Sequence, residues 1–280
     1  MMQFVTYNTG YGVGRDGEVD LDRIADAVDG ADVIALQEVE RFWPRCGMID
    51  QPRELAKRLP EYWWVFGANI DLHSPETFPG EAADRRRQFG NMILASTPLL
   101  ASRNIALPRC AHLPTTMQRG AVEVIVAGAT ETLRIYSTHL CYLSTATRLE
   151  QLDAINRAHQ AARRGPGAWE GHHPDSAVGW VVGEEPRVPD EAVVFGDLNF
   201  LPDTPEYREH VAPGCAHPEG WVDAWACAGK GEVAGATKPS HGRIDYGLVS
   251  EGLRGRVRDA WVDAEATGSD HQPLWFEIDV

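Results

Sequence analysis

Eight polar residues spread over a chain of 280 residues each sit at or near the end of an apolar, β-prone run: Asn8, Glu38, His139, Asp197, Asn199, Asp245 and the adjacent pair Asp270-His271. Carboxylates and amide oxygens hold hard divalent cations, which keep several waters and bind through one or two carboxylates plus the substrate. A single glutamate after a buried strand is usually the first solvated residue. Its recurrence through the chain is hard to explain by packing. It reads as a divalent-metal site assembled from distant segments.

Glu38 and Asp270 are the first candidates for metal ligands, and Asn8 can add an amide oxygen or orient a ligand. Asp197 and Asn199 lie two apart, so extended backbone turns both to one side. A carboxylate there can take a proton from an attacking water, and the amide can hold that water or a phosphoryl oxygen. Gly-Asp-x-Asn alone would also suit an Asx-rich turn. His139 and His271 can donate hydrogen bonds to a phosphoryl group that gains charge in the transition state. Asp245 can fix a histidine tautomer.

The elements that must position these groups alternate. Gln3 to Tyr7 reads as a strand ending at Asn8, Leu21 to Val28 as a helix with Asp20 as N-cap, and residues 31–38 as a buried strand closing on Glu38. Pro52 to Leu59 reads as a helix and Trp63 to Phe66 as a strand. Residues 70–89 read as a loop over a site, with Arg85-Arg86-Arg87 as a phosphate clamp or a solvated face. Strands follow at Asn91–Ser96, Val122–Ala127 and Leu133–Thr138, then a helix at Thr147–Arg163. Residues 165–191 read as a long excursion bearing Trp169, His172, His173 and Trp180. Ala192–Phe195, Arg243–Val249 and Leu274–Ile278 supply the last strands. Site residues run from one end of this series to the other, so one domain over 1–280 is expected.

The composition, 43% hydrophobic and 24% charged, suits a folded protein with a substantial core. A formal charge of −15 disfavours tight polyanion binding unless a local basic patch or a bound cation compensates. Cys46, Cys110, Cys141, Cys215 and Cys227 are scattered without a metal-binding spacing and read as reduced thiols. Neither a signal peptide nor a transmembrane run is evident, so a cytoplasmic location is expected.

Thr6-Tyr7-Asn8, Leu36-Gln37-Glu38-Val39, Gly90-Asn91-Met92-Ile93-Leu94, Arg119-Gly120-Ala121, Thr138-His139-Leu140, Gly196-Asp197-Leu198-Asn199, Arg243-Ile244-Asp245-Tyr246 and Ser269-Asp270-His271 together resemble, in order, the endonuclease/exonuclease/phosphatase superfamily. The resemblance covers essentially the whole chain. It implies an α/β fold, a four-layer sandwich of two central mixed β-sheets flanked by helices. It also implies Mg²⁺- or Mn²⁺-dependent phosphoester cleavage. By motif position Glu38 is the principal metal ligand, with Asn8 and Asp270 supporting the metal or its waters. Asp197 activates water beside Asn199, while His139 and His271, the latter oriented by Asp245, meet the scissile phosphate. Asn91 and Arg119 fall at substrate-binding positions.

Gly10 stands where some nucleases of the superfamily carry an acidic residue two positions after the first Asn, which points to one metal rather than two. Arg148 and Gln151 after the Thr-His-Leu motif resemble the hydrolase and lipid-phosphodiesterase branches. The favoured substrate is therefore a small or lipid-like phosphoester, with DNA or RNA cleavage as the alternative. A binding module without catalysis is disfavoured by the full set of polar site residues.

Overall fold

The strand–helix–strand alternation resolves, in a computed structural model, into two six-stranded mixed sheets packed face to face. It describes residues 1–74, 85–110, 116–128, 131–165, 175–179, 187–211, 220–231 and 235–280. The first sheet contains β1 (Met2–Asn8), β2 (Val33–Arg41), β3 (Trp63–His73), β4 (Arg86–Ala95), β11 (Val257–Val262) and β12 (Leu274–Ile278), in the order β11-β12-β1-β2-β4-β3. The second contains β5 (Leu99–Ala106), β6 (Gly120–Ala127), β7 (Thr132–His139), β8 (Ala192–Asp197), β9 (Val222–Asp223) and β10 (Asp245–Val249), in the order β5-β6-β7-β8-β10-β9. Each sheet has one parallel pair, β1 with β2 and β7 with β8.

Period-two alternation divides the side chains among three apolar layers. Phe4, Ala35, Ile93, Val124, Ile135, Phe195 and Phe276 meet between the sheets. The opposite faces of the first sheet, through Val5, Tyr7, Ile34 and Leu36, pack on Leu21, Ile24 and Val28 of the α1 region (helix Leu21–Asp26) and Leu55 of α2 (Gln51–Arg58). The outer face of the second sheet, through Tyr136, Val194, Tyr246 and Leu248, packs on Leu152 and Ile155 of α3 (Thr145–Arg164) and Tyr207 of α4 (Pro205–His210). A short α5 (Ala224–Cys227) follows β9. The result is the α/β sandwich implied by the motif series.

Helix starts follow their caps. Asp20 accepts hydrogen bonds from the Asp22 and Arg23 amides, Asp50 from the Arg53 amide, and Ser144 from the Thr147 amide.

The expected loop at 70–89 is narrower than the sequence suggests, because β3 continues to His73 and β4 begins at Arg86. The two strand ends pair in register, and Arg86 Nε meets Asp71 Oδ1 at 2.6 Å. The tip, 75–84, lies outside the described residues, as do Cys215 and the four excursion residues Trp169, His172, His173 and Trp180. Among the described residues no disulfide forms, and no helix is long and apolar enough to cross a membrane.

Candidate active site

The site forms where the two parallel pairs end side by side. Asn8 closes β1, His139 closes β7 and Asp197 closes β8, with His139 directly opposite Asp197 in the parallel register. Gly196 permits that close pairing: its φ is +144°, and a Cβ there would lie 1.8 Å from the Thr138 carbonyl oxygen.

Glu38 gets its direction differently. The β2–β4 register shifts between Leu36 and Val39, and Glu38 adopts a left-handed φ of 58° within that bulge. Thr9 pins the bulge, donating from Oγ1 to the Gln37 carbonyl at 2.9 Å and the Glu38 carbonyl at 3.2 Å.

Asn8 ties the two carboxylates together, its Nδ2 donating to Asp197 Oδ2 at 2.9 Å and to Glu38 Oε1 at 3.2 Å. His139 lies between the same acids, with Nε2 at 3.4 Å from Asp197 Oδ2 and Nδ1 at 3.6 Å from Glu38 Oε1. Ligand atoms of Glu38, His139 and Asp197 all fall within 4.8 Å of one another, and so do those of Asp197, Asp245 and His271. The Glu38 and Asp197 carboxylates, the first half-buried and the second buried, bring oxygen donors within 4.8 Å of one another and so fit a hard divalent cation. Glu38, the more open of the two, is the oxygen donor placed to hold it, with Asp197 beside it.

Burial, reinforced by the Asp245 charge, pushes the Asp197 carboxyl up to about 7. Burial and the nearby Arg119, His271 and Lys238 charges push His139 well below its ordinary value, leaving it neutral. His271 goes the other way. Burial opposes its charge, but the Asp245 carboxylate, 2.8 Å from Nδ1, and Asp197 hold it up to about 9. Nδ1–H therefore donates to Asp245, and Nε2–H faces the cleft 3.7 Å from Asp197 Oδ2.

The cleft above these groups measures about 700 Å³ and is lined by Glu38, Arg119, His139, Asp197, Asn199 and His271 along with several apolar side chains. Arg119 is buried, and its Nη1 has no hydrogen-bond partner among the described residues. A buried guanidinium facing a cleft in this way fits an anion. Asn199, at φ 54°, donates from its backbone to Asp197 Oδ1 at 3.0 Å and from Nδ2 to the Leu140 carbonyl at 3.1 Å.

Three candidates lie elsewhere. Asn91 is buried under the floor, and its Nδ2 donates to the Gly120 carbonyl at 3.0 Å and the Ser137 carbonyl at 3.3 Å. Asp270 stands outside both ligand groups at the cleft edge, 2.8 Å from Lys238 Nζ. The Arg85–Arg87 run is not part of the cleft lining: Arg85 lies over the Phe42 ring, Arg86 pairs with Asp71, and Arg87 lies over the Trp43 ring.

Sequence reasoning missed Lys238 and Tyr11. Lys238 Nζ lies 3.1 Å from His271 Nε2 and is held by Asp270. When His271 is charged, both groups are donors, an arrangement that favours an anion accepting from the two at once. The available signal was a lysine before proline, seven residues ahead of Asp245, in a chain with only three lysines. Tyr11 lines the cleft, its hydroxyl pushed up to about 12 by burial and the Glu38 charge. Its signal was an aromatic residue between two glycines just past a strand end.

With this geometry in place, the class of protein follows. A family model described as the Endonuclease/Exonuclease/phosphatase family matches residues 5–271, and the chain belongs to that family, whose members are hydrolytic phosphoesterases. Solved structures share the fold at low identity. An endonuclease/exonuclease/phosphatase from Beutenbergia cavernae is 21% identical over 98% of this chain and 70% of its own, with a TM-score of 0.65. A mannosyl-6-phosphatase of Bacteroides thetaiotaomicron is 15% identical over all of both chains, at 0.68. The human Nocturnin catalytic domain with bound sulfate is 16% identical over 99% of this chain and 93% of its own, at 0.66. No curated protein sequence matches the chain.

Proposed function

We propose that this protein is a Mg²⁺- or Mn²⁺-dependent hydrolase of a small or lipid-like phosphoester that cleaves a P–O bond by in-line attack of water. The observation that carries this reading is Asp197, buried at the cleft floor and contacted by Asn8, His139 and His271 at 2.9, 3.4 and 3.7 Å. A carboxylate with its affinity for protons raised toward neutrality suits a general base. Asp197 takes the proton of the attacking water, held in place by the Asn199 amide. Arg119, Lys238 and the Nε2–H of His271 steady the phosphoryl oxygens, with Asp245 fixing His271. The water oxygen bonds to phosphorus, the P–O ester bond breaks, and the ester oxygen takes a proton from solvent and leaves as an alcohol, while Asp197 returns its proton to solvent. A divalent cation bound by Glu38 would neutralise phosphate charge and stabilise the leaving oxygen.

The mannosyl-6-phosphatase neighbour, by its name, acts on a small phosphoester. One observation favours the nuclease alternative: Arg45 lies over the rings of Tyr11 and Trp43 at 4.0 and 4.8 Å, beside the cleft. That guanidinium is nonetheless paired with Glu40. The free thiols agree with a reducing compartment such as the cytoplasm.

The test is a substrate panel with Mg²⁺, Mn²⁺ or EDTA: p-nitrophenyl phosphate, bis-p-nitrophenyl phosphate, sphingomyelin, single-stranded DNA and abasic duplex. Metal-dependent turnover of the esters is expected. Strong DNA cleavage with little ester turnover would replace this reading with the alternative.

A further inference from the structure

Two loops leave the site strands side by side, residues 140–143 after His139 and residues 198–201 after Asp197. They are fastened together. Besides the Asn199 bond to the Leu140 carbonyl, the Leu140 amide donates to the Asp197 carbonyl at 3.0 Å and the Leu198 amide to the Ile244 carbonyl at 2.9 Å. Helix α3 holds the first loop from behind. Gln151 Oε1 accepts from the Cys141 amide at 2.8 Å, and Arg148 Nη1 donates to the Cys141 carbonyl at 2.9 Å. Arg148 is itself anchored by Glu206 at 2.7 Å.

From this braced pair of loops Tyr142 and Leu201 project outward, 52% and 37% exposed. They line the same cleft as Glu38, Asp197 and His271, as do the apolar Met117, Phe200 and Ile244, with Arg148, Thr204 and His241 among them; the apolar members are its wall. Apolar side chains lining a cleft beside a few convergent polar groups are the usual make-up of a ligand site. Here the wall is continuous with the charged floor. A phosphoester seated on that floor must lay one of its ester groups along the wall or out into solvent.

We propose that the Tyr142–Leu201 wall is the subsite for an apolar ester group, so that the enzyme prefers alkyl or aryl phosphoesters to esters of sugars or nucleosides. This assignment rests on the hydrolase reading and supplies its substrate class. Arg148 and Gln151 act as positioning residues for the wall.

The test compares kcat/KM for octyl and glyceryl esters, each as the phosphate monoester and as the p-nitrophenyl diester, with Mg²⁺ or Mn²⁺ and the full chain. The octyl ester is expected to be favoured about tenfold or more, the usual discrimination of an apolar pocket. Tyr142→Ser with Leu201→Ser should lower the octyl-to-glyceryl ratio about tenfold, and Tyr142→Phe should preserve it. If the double variant melts early, Leu201→Ser alone gives the same comparison. A wild-type ratio near one, a ratio unmoved by the serine variants, or faster cleavage of dithymidine phosphate than of the octyl diester overturns the subsite while leaving the hydrolase reading intact. No turnover of any phosphoester with either metal overturns both.

Discussion

Replacing Asp245 with Asn isolates the contribution of one buried charge. His271 and Asp245 are buried with 2.8 Å between Nδ1 and Oδ2, and the pair holds His271 up to about 9 against an ordinary 6.5. That difference corresponds to about 3 kcal/mol favouring the imidazolium in the folded state. Because the folded value is raised, this stabilisation is complete below pH 6.5 and is lost as pH rises through 9. About 2 kcal/mol of it falls between pH 7 and 9 by the same relation. Asp245→Asn keeps the shape but removes the carboxylate, so burial and Lys238 should then pull His271 down, opposed only by Asp197. Urea unfolding in EDTA at pH 7, 8 and 9 should show the wild type losing about 2 kcal/mol relative to the variant. In metal-loaded enzyme, kcat should fall by about 10²- to 10³-fold, the usual range for losing a hydrogen-bond donor to transition-state charge. NMR titration of the His271 ring gives the direct reading. An imidazole that still titrates near 9 in the variant, or an unchanged kcat, would refute the reasoning.

Lys238→Met should raise KM for an anionic phosphoester about tenfold or more, with kcat less affected, because it removes a cation at the cleft edge without touching Asp197. Steady-state kinetics would show this, and an unchanged KM would exclude Lys238 from binding. Arg243→Met should cost about 3–5 kcal/mol in urea unfolding. It leaves the buried Asp223 carboxylate without its guanidinium partner at 2.8 Å, and an unchanged midpoint would mean that the pair contributes nothing. Thr9→Val removes both hydroxyl contacts to the bulge, keeping only the amide bond to the Gln37 carbonyl, and should cost about 1–2 kcal/mol. It should also weaken Mn²⁺ binding by titration calorimetry; unchanged metal affinity would show that Glu38 needs no such support.

What was legible in the sequence was the set of strand ends. A strand buried on both faces is an apolar run, so the polar residue that stops it stands out, as at Asn8, His139 and Asp197; Glu38 reads as a strand end too, but β2 runs on to Arg41 and Glu38 sits in a bulge within it. Strands without that property stayed hidden. β5 reads Leu-Leu-Ala-Ser-Arg-Asn-Ile-Ala, half exposed at the sheet edge, and the outer arms of β3 and β4 are fastened by Asp71 and Arg86 instead of by apolar contacts. Asn91 illustrates a different limit. Residue type and spacing cannot distinguish an amide facing substrate from one that laces two sheets together, and here the amide of β4 donates to carbonyls of β6 and β7. Lys238 was obscured because a turn delivers it. That turn is closed by the Lys238 amide on the Gly242 carbonyl at 3.0 Å and by Thr237 Oγ1 accepting from the Asp245 amide at 3.0 Å.

The bulge at Glu38 links these observations. A regular β2 would pair with β4 without interruption and alternate its side chains between an apolar core and the α1–α2 layer. Neither side would open the Glu38 carboxylate to the cleft that it lines. Inserting one residue in a left-handed conformation costs about 1–3 kcal/mol for a non-glycine residue. In return, Glu38 turns toward the ends of β7 and β8, where Asp197 and His139 stand. Thr9, one residue past Asn8, supplies the hydrogen bonds that hold the bulge. The strained residue and its support thus come from the same parallel pair that delivers Asn8, so the first sheet presents two site groups as one rigid unit to the second.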